Sequence, residues 1–128
     1  DVLRAVESAR PVPELAALRT SRVRVALPPR WAGTTRSVTV STATAGELAL
    51  VGLDCEAAVE IGLAIKAASP FPATFVITHC NGSSGYLPVA RQHEEGGYEV
   101  ARTGFAPAAA DLLVKETLAL LAKLAAGG

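Results

Sequence analysis

The sequence predicts an α/β fold: a mixed sheet with at least one βαβ unit, helices packed on the sheet, and a long C-terminal helix. Three observations carry this expectation. Residues 38–53 alternate and then run continuously apolar, the pattern of strands with one and then two covered faces. Residues 55–68 carry apolar side chains at helical spacing and are followed by the apolar run Phe75-Val76-Ile77, so strand, helix and strand succeed one another. Beyond Pro107, leucines recur every three or four residues to the end of the chain.

Each element has a local reason. Residues 1–9 read as a helix end, with Val2, Leu3 and Val6 at helical spacing and Pro11 as a stop. Residues 14–18 add a short helical turn. Val23, Val25 and Leu27 alternate with Arg22, Arg24 and Ala26, which gives a half-buried strand ended by Pro28-Pro29. Residues 30–35, with Trp31 and Gly33, form a loop. Val38 and Val40 lie between Ser37, Thr39 and Ser41 in a second strand with one wet face. Ala45-Gly46 is the hairpin turn, and Leu48–Leu53 is a strand covered on both sides. Asp54 is placed to cap the next helix, whose stripe is Ala58, Ile61, Gly62 and Ile65, widened by Val59 and Leu63. So apolar a helix should be well buried. Ser69-Pro70-Phe71-Pro72 ends it and leads to a strand over 73–78. Pro88 opens a short helix that stops at Gly96-Gly97, and residues 98–101 form a short edge strand. The last helix buries Ala110, Leu113, Val114, Leu121 and Leu124, widened by Leu118 and Leu120, with Thr117 polar on that stripe. Asp111 and Lys115 are set for an i,i+4 pair, and Gly127-Gly128 closes the helix.

Composition narrows the function classes. The chain has 128 residues, enough for a single domain with a core. Its 12 Lys and Arg balance 12 Asp and Glu, with no basic block, so neither nucleic acid nor an anionic membrane surface is expected as a partner. Asp54, Glu56, Glu60 and Lys66 interrupt the apolar stretches, so no transmembrane segment is expected, and no secretory signal peptide is visible. The absence of Met and the start at Asp1 imply a chain processed or cut from something longer. Cys55 and Cys80 make no disulfide framework.

Topology suggests where chemistry sits. Parallel strands of a βαβ unit end on one sheet edge. There the strand ending at Leu53 delivers Asp54, Cys55 and Glu56, and the strand ending at Thr78 delivers His79, Cys80 and Asn81, beside the glycine- and serine-rich loop 82–85. Glu56 reads as a metal ligand or general base, or as ordinary first-turn helix charge. His79 reads as a ligand or base, or as a structural histidine. The two cysteines are better read as buried thiols than as zinc ligands, and His93, beside Glu94 and Glu95, as solvated surface. Tyr86 reads as buried with its hydroxyl bonded. The loop could hold an anion on its N–H groups, but no Gly-Lys-Ser/Thr follows it and no Gly-x-Ser-x-Gly elbow is present, so Ser83 and Ser84 are unsupported as nucleophiles.

Set against known families, the chain resembles the C-terminal part of the catalytic domain of neutral/alkaline, non-lysosomal ceramidases and their bacterial relatives. The matching residues are the run 48–53, Glu56, Val59-Glu60-Ile61-Gly62, Ile65-Lys66, Ser69-Pro70, Asn81-Gly82, Gly85-Tyr86-Leu87-Pro88, Glu94-Glu95-Gly96-Gly97-Tyr98-Glu99 and Phe105-Ala106-Pro107. The resemblance covers roughly residues 38–124 and implies that residues 1–128 are one domain, the C-terminal portion of a larger catalytic domain. It also implies zinc-dependent hydrolysis of lipid amides such as ceramide, within sphingolipid metabolism. Glu56 and Tyr86 take the places of two zinc ligands, Asn81 and Tyr86 those of catalytic groups. The two zinc histidines lie in an upstream segment, the partner that this chain then requires. The sequence departs from the family at Asp54-Cys55, where Pro-Gly is usual, at His79-Cys80, where Leu-Ala is expected, and at His93, where an aromatic is common. The isolated chain should therefore bind zinc weakly and lack ceramidase activity. A binding module that keeps the fold without the reaction is the alternative, and a separate metal site made of Cys55, Glu56, His79 and Cys80 is a third.

Overall fold

The computed structural model describes residues 2–9 and 17–127. Along the chain lie α1 (Val2–Glu7), β1 (Leu18–Leu27), β2 (Arg36–Ala45), β3 (Leu48–Leu53), β4 (Glu56–Ala57) and α2 (Val59–Ala68). Then come β5 (Ala73–Ile77), β6 (Tyr86–Leu87), α3 (Ala90–Glu95), α4 (Tyr98–Arg102) and α5 (Ala109–Ala125). The main sheet has the order β1-β2-β3-β5, and β4 and β6 form a second, two-stranded sheet.

β1 and β2 pair antiparallel from Leu18↔Ala45 to Leu27↔Arg36, which stacks Val23 on Val40 and Val25 on Val38. A two-residue turn, Gly46-Glu47, returns the chain into β3 with Ala45 opposite Leu48. β3 and β5 then run parallel, with α2 between them in sequence, as the βαβ expectation required. α5 packs on β1, β2 and α2, and α2 on β5. The core lies under these two helices: Val38, Val40, Val51, Leu53, Ile61, Ile65, Leu113 and Leu121 are all buried. Burying each such side chain contributes about 1.5–3 kcal/mol. The predicted α5 stripe lies in place. Thr117 is buried with its hydroxyl unpaired, as the one polar residue on that stripe.

Several expectations are corrected. β3 is not covered on both sides: Leu50 is 38% exposed, and its neighbours on the same face, Phe75 and Ile77, are 55% and 48% exposed. α2 and α5 lie on the opposite face. α2 buries only Ile61 and Ile65, while Val59 and Leu63 point outward. Asp54 does not cap α2, whose N-cap is Ala58 without a side-chain bond, because residues 56–57 pair as a strand first. Residues 98–102 are helical rather than an edge strand, held by Ala101 N–H to Gly97 O at 3.0 Å and Thr103 N–H to Glu99 O at 2.8 Å. Leu18 belongs to β1 instead of a helical turn; residues 14–16 of that turn, and Pro11, lie outside the described residues. Asp111 and Lys115 form no ion pair among the described ones, in keeping with the side-chain entropy that an exposed pair costs. Pairing is found instead at Arg91, which bridges Glu95 on its own helix to Glu60 on α2.

Candidate functional site

Just past the C-terminal ends of β3 and β5, the chain segments 54–57 and 79–87 are laced together by backbone. His79 N–H donates to Cys55 O at 3.1 Å and Cys80 N–H to Leu53 O at 2.9 Å. Further on, Glu56 N–H donates to Gly85 O at 2.9 Å and Ala58 N–H to Leu87 O at 3.1 Å. The result is the parallel β4–β6 pair, in which Glu56 is the direct partner of Tyr86. Leu87 anchors β6 in the core. Thr103, fully buried, clamps it from behind by donating to Tyr86 O at 2.7 Å and accepting from Phe105 N–H at 3.1 Å.

The loop between is fastened by Asp54. Its carboxylate oxygen Oδ1 accepts from Thr39 N–H at 2.8 Å and from Ser84 Oγ at 2.9 Å, and its backbone carbonyl accepts from Ser84 N–H. His79 and Asn81 take left-handed backbone angles, with φ of 52° and 61°. Asn and His are among the non-glycine residues that tolerate this region best. Gly85, at φ 92°, makes the reversal that delivers Tyr86 to β6.

Side chains at this rim converge on one carboxylate. His79 Nε2 lies 3.0 Å from Glu56 Oε2. Tyr86 stands beside Glu56 as its strand partner, and that carboxylate, with some desolvation and the neighbouring Tyr98 and Glu99, raises the phenol above its ordinary pKa. Tyr98 stands edge-on to the Tyr86 ring at 5.7 Å. Beside the carboxylate a shallow concavity is lined by Ala57, Leu87, Pro88, Gln92 and Glu99.

Of the residues singled out from sequence, Glu56, His79 and Tyr86 are thus brought together. Tyr86 is half-buried rather than buried, with the Glu56 carboxylate as its charged neighbour. Asn81 sits on the same loop but is exposed, and its amide donates to Cys80 Sγ at 3.5 Å. The set Cys55, Glu56, His79 and Cys80 is not gathered. Among the described residues no three of His, Cys, Asp and Glu are placed to share a metal ion. Cys55 is buried, and that burial, with Asp54 nearby, pushes its thiol up to about 12, so it stays protonated. Cys80 instead covers Gly52, where even a Cβ would lie 2.5 Å from its sulfur. His93 is not solvated surface. Its Nε2 is buried without a hydrogen-bond partner, and burial together with Arg30 lowers its pKa. Thr103 is the supporting residue that sequence reasoning missed, while Asp54, expected at this edge, fastens the loop instead of capping α2. Asp54 gave a signal, a short acceptor at a strand end, but capping and loop-fastening use the same chemistry. Thr103 gave none.

The fold and this rim define a mixed α/β domain with a carboxylate, an imidazole and a phenol at the ends of parallel strands. Among solved structures it is similar to a ceramidase determined in complex with C2, with a TM-score of 0.55 and 19% identity. The match covers 67% of this chain and only 14% of that one, and it establishes a ceramidase-like fold. No family model matches the chain, and no curated protein does. No described helix is long and apolar enough to cross a membrane.

Proposed function

We propose that this chain is the C-terminal portion of a ceramidase-like, zinc-dependent amidohydrolase acting on N-acyl lipid-type amides. One observation carries the reading: Glu56 and Tyr86, the residues to which the family resemblance assigns the metal, are direct partners in the β4–β6 pair. The ceramidase-like fold supports it. The donor set fits zinc in kind, since carboxylate oxygen is among its ordinary ligands and a phenol oxygen is of similar hardness. Glu56 and Tyr86 would hold the ion together with two histidines of an upstream segment.

Zinc so held supplies Lewis-acid polarisation of the amide carbonyl and a water acidified toward neutral pH. The chain's own residues supply the rest. Glu56 brings the negative charge that offsets the cation. Tyr86 offers a hydroxyl beside that carboxylate, and Asn81 offers an amide at the loop surface to a polar substrate head. Ala57, Leu87 and Pro88 give the acyl side an apolar wall.

The test joins this chain to an upstream segment carrying two zinc-type histidines and measures hydrolysis of a short-chain N-acyl sphingoid base. Activity should vanish on chelation and return with zinc. Glu56→Gln and Tyr86→Phe should each lower kcat by about 100-fold or more, the scale on which positioned catalytic groups act. Lipid binding without hydrolysis, unchanged in Glu56→Ala, would favour a binding module instead.

A further inference from the structure

We propose that His79 is a third protein donor at the Glu56–Tyr86 pair, so that this chain alone holds one zinc-type divalent cation through carboxylate, imidazole and phenol. The inference rests on the placement of Glu56 and Tyr86 in the reading above. It goes beyond that reading because the resemblance gives position 79 to an apolar residue and draws both histidines from elsewhere.

The geometry is specific. His79 Nε2 and Glu56 Oε2 are 3.0 Å apart. Two ligands bound tetrahedrally at about 2.0–2.1 Å stand about 3.3 Å from each other, so a cation between them needs an opening of only a few tenths of an ångström. Both side chains are about half exposed, at 50% and 46%, so an aqueous ion reaches them without opening the core. Their backbones are tied one residue apart by the His79 N–H bond to Cys55 O. The left-handed φ of His79, 52°, turns the chain where the imidazole meets the carboxylate. Tyr86, the direct strand partner of Glu56, brings the third donor beside that carboxylate. The cation would replace the hydrogen bond that now joins His79 to Glu56, and the fixed β4–β6 register leaves two of the three donors where they stand.

The experiment is calorimetric zinc titration of the 128-residue chain, with His79→Ala, His79→Asn, Glu56→Gln, Tyr86→Phe and Cys80→Ser variants. The His79→Asn variant accepts the same left-handed backbone and can still bond Glu56, so it keeps the loop while removing the imidazole. Thermal midpoints check that each variant folds. The unmodified chain and Cys80→Ser should bind one zinc per chain. Both His79 variants and Glu56→Gln should bind at least about tenfold more weakly, since loss of an outer-shell partner alone typically costs 10–100-fold. Zinc should also shift the ring signals of His79 in NMR spectra and leave those of His93 in place. Absence of one-to-one binding, or full affinity in folded His79→Ala and His79→Asn, overturns the inference. Full affinity in those two with loss in Glu56→Gln and Tyr86→Phe removes His79 while leaving the hydrolase reading intact. Conversely, a His79-dependent site in a chain that never supports hydrolysis keeps His79 and removes that reading.

Discussion

Cys55 and Cys80 sit on segments that hydrogen-bond to each other, yet their thiols meet opposite surroundings. Cys55 is sealed in the core beside Asp54, with its pKa pushed up to about 12. Cys80 is only partly covered and lies over Gly52. Since the thiolate is the reactive species, a water-soluble disulfide reagent should modify Cys80 in the native protein and Cys55 only after unfolding. A Cys80→Ser variant that still takes up one equivalent under native conditions would contradict this. At this scale the sequence was partly legible. Both cysteines were read as buried thiols, which holds for Cys55 and only in part for Cys80. The histidines were read apart: His79, expected at the rim beside Glu56, meets that carboxylate, whereas His93, expected to be solvated, turns a ring nitrogen inward.

Among the elements, long periodic segments were legible and short ones were not. β2, β3, α2 and α5 follow from apolar spacing because each has ten or more residues or a continuous apolar run. β4 and β6 have two residues each, too few for any period to show. They exist because backbone groups freed at the ends of β3 and β5 find each other. α4 escaped for a related reason: its five residues bury only Val100, so neither a helical nor an alternating stripe is visible. The support of β6 can be tested through Thr103. A Thr103→Val substitution keeps the shape but leaves Tyr86 O and Phe105 N–H without their buried partner. It should cost about 1–3 kcal/mol of unfolding free energy. Denaturant titration checks the loss, and zinc affinity that survived it unchanged would show that β6 does not depend on the clamp.

Across the whole molecule, two helices protect one sheet face and leave Leu50, Phe75 and Ile77 open on the other. Composition could not foretell that asymmetry, because the apolar run of β3 is equally suited to one covered face or two. Stability should depend on pH through His93. Its folded pKa lies below the ordinary 6.5, so the unfolded chain binds the proton more readily. The stabilisation from keeping the ring neutral is therefore complete above about pH 6.5 and is lost as pH falls through the folded value. Urea midpoints should drop between pH 7.5 and 5.5, and His93→Gln should flatten that part of the decline. An unaltered slope in His93→Gln would assign it to carboxylates instead.

The convergence at the rim was legible only as topology: parallel strands had to end together, and Glu56 and Tyr86 had to follow them. What the sequence could not disclose is that main-chain bonds, rather than the two side chains, fix the spacing between positions 56 and 86. The frame is thus indifferent to what it carries. A thiol facing an imidazole would rest on the same backbone separation as the present acid and phenol, so the kind of ion favoured at this rim can be exchanged by altering two head groups without redrawing the scaffold beneath them.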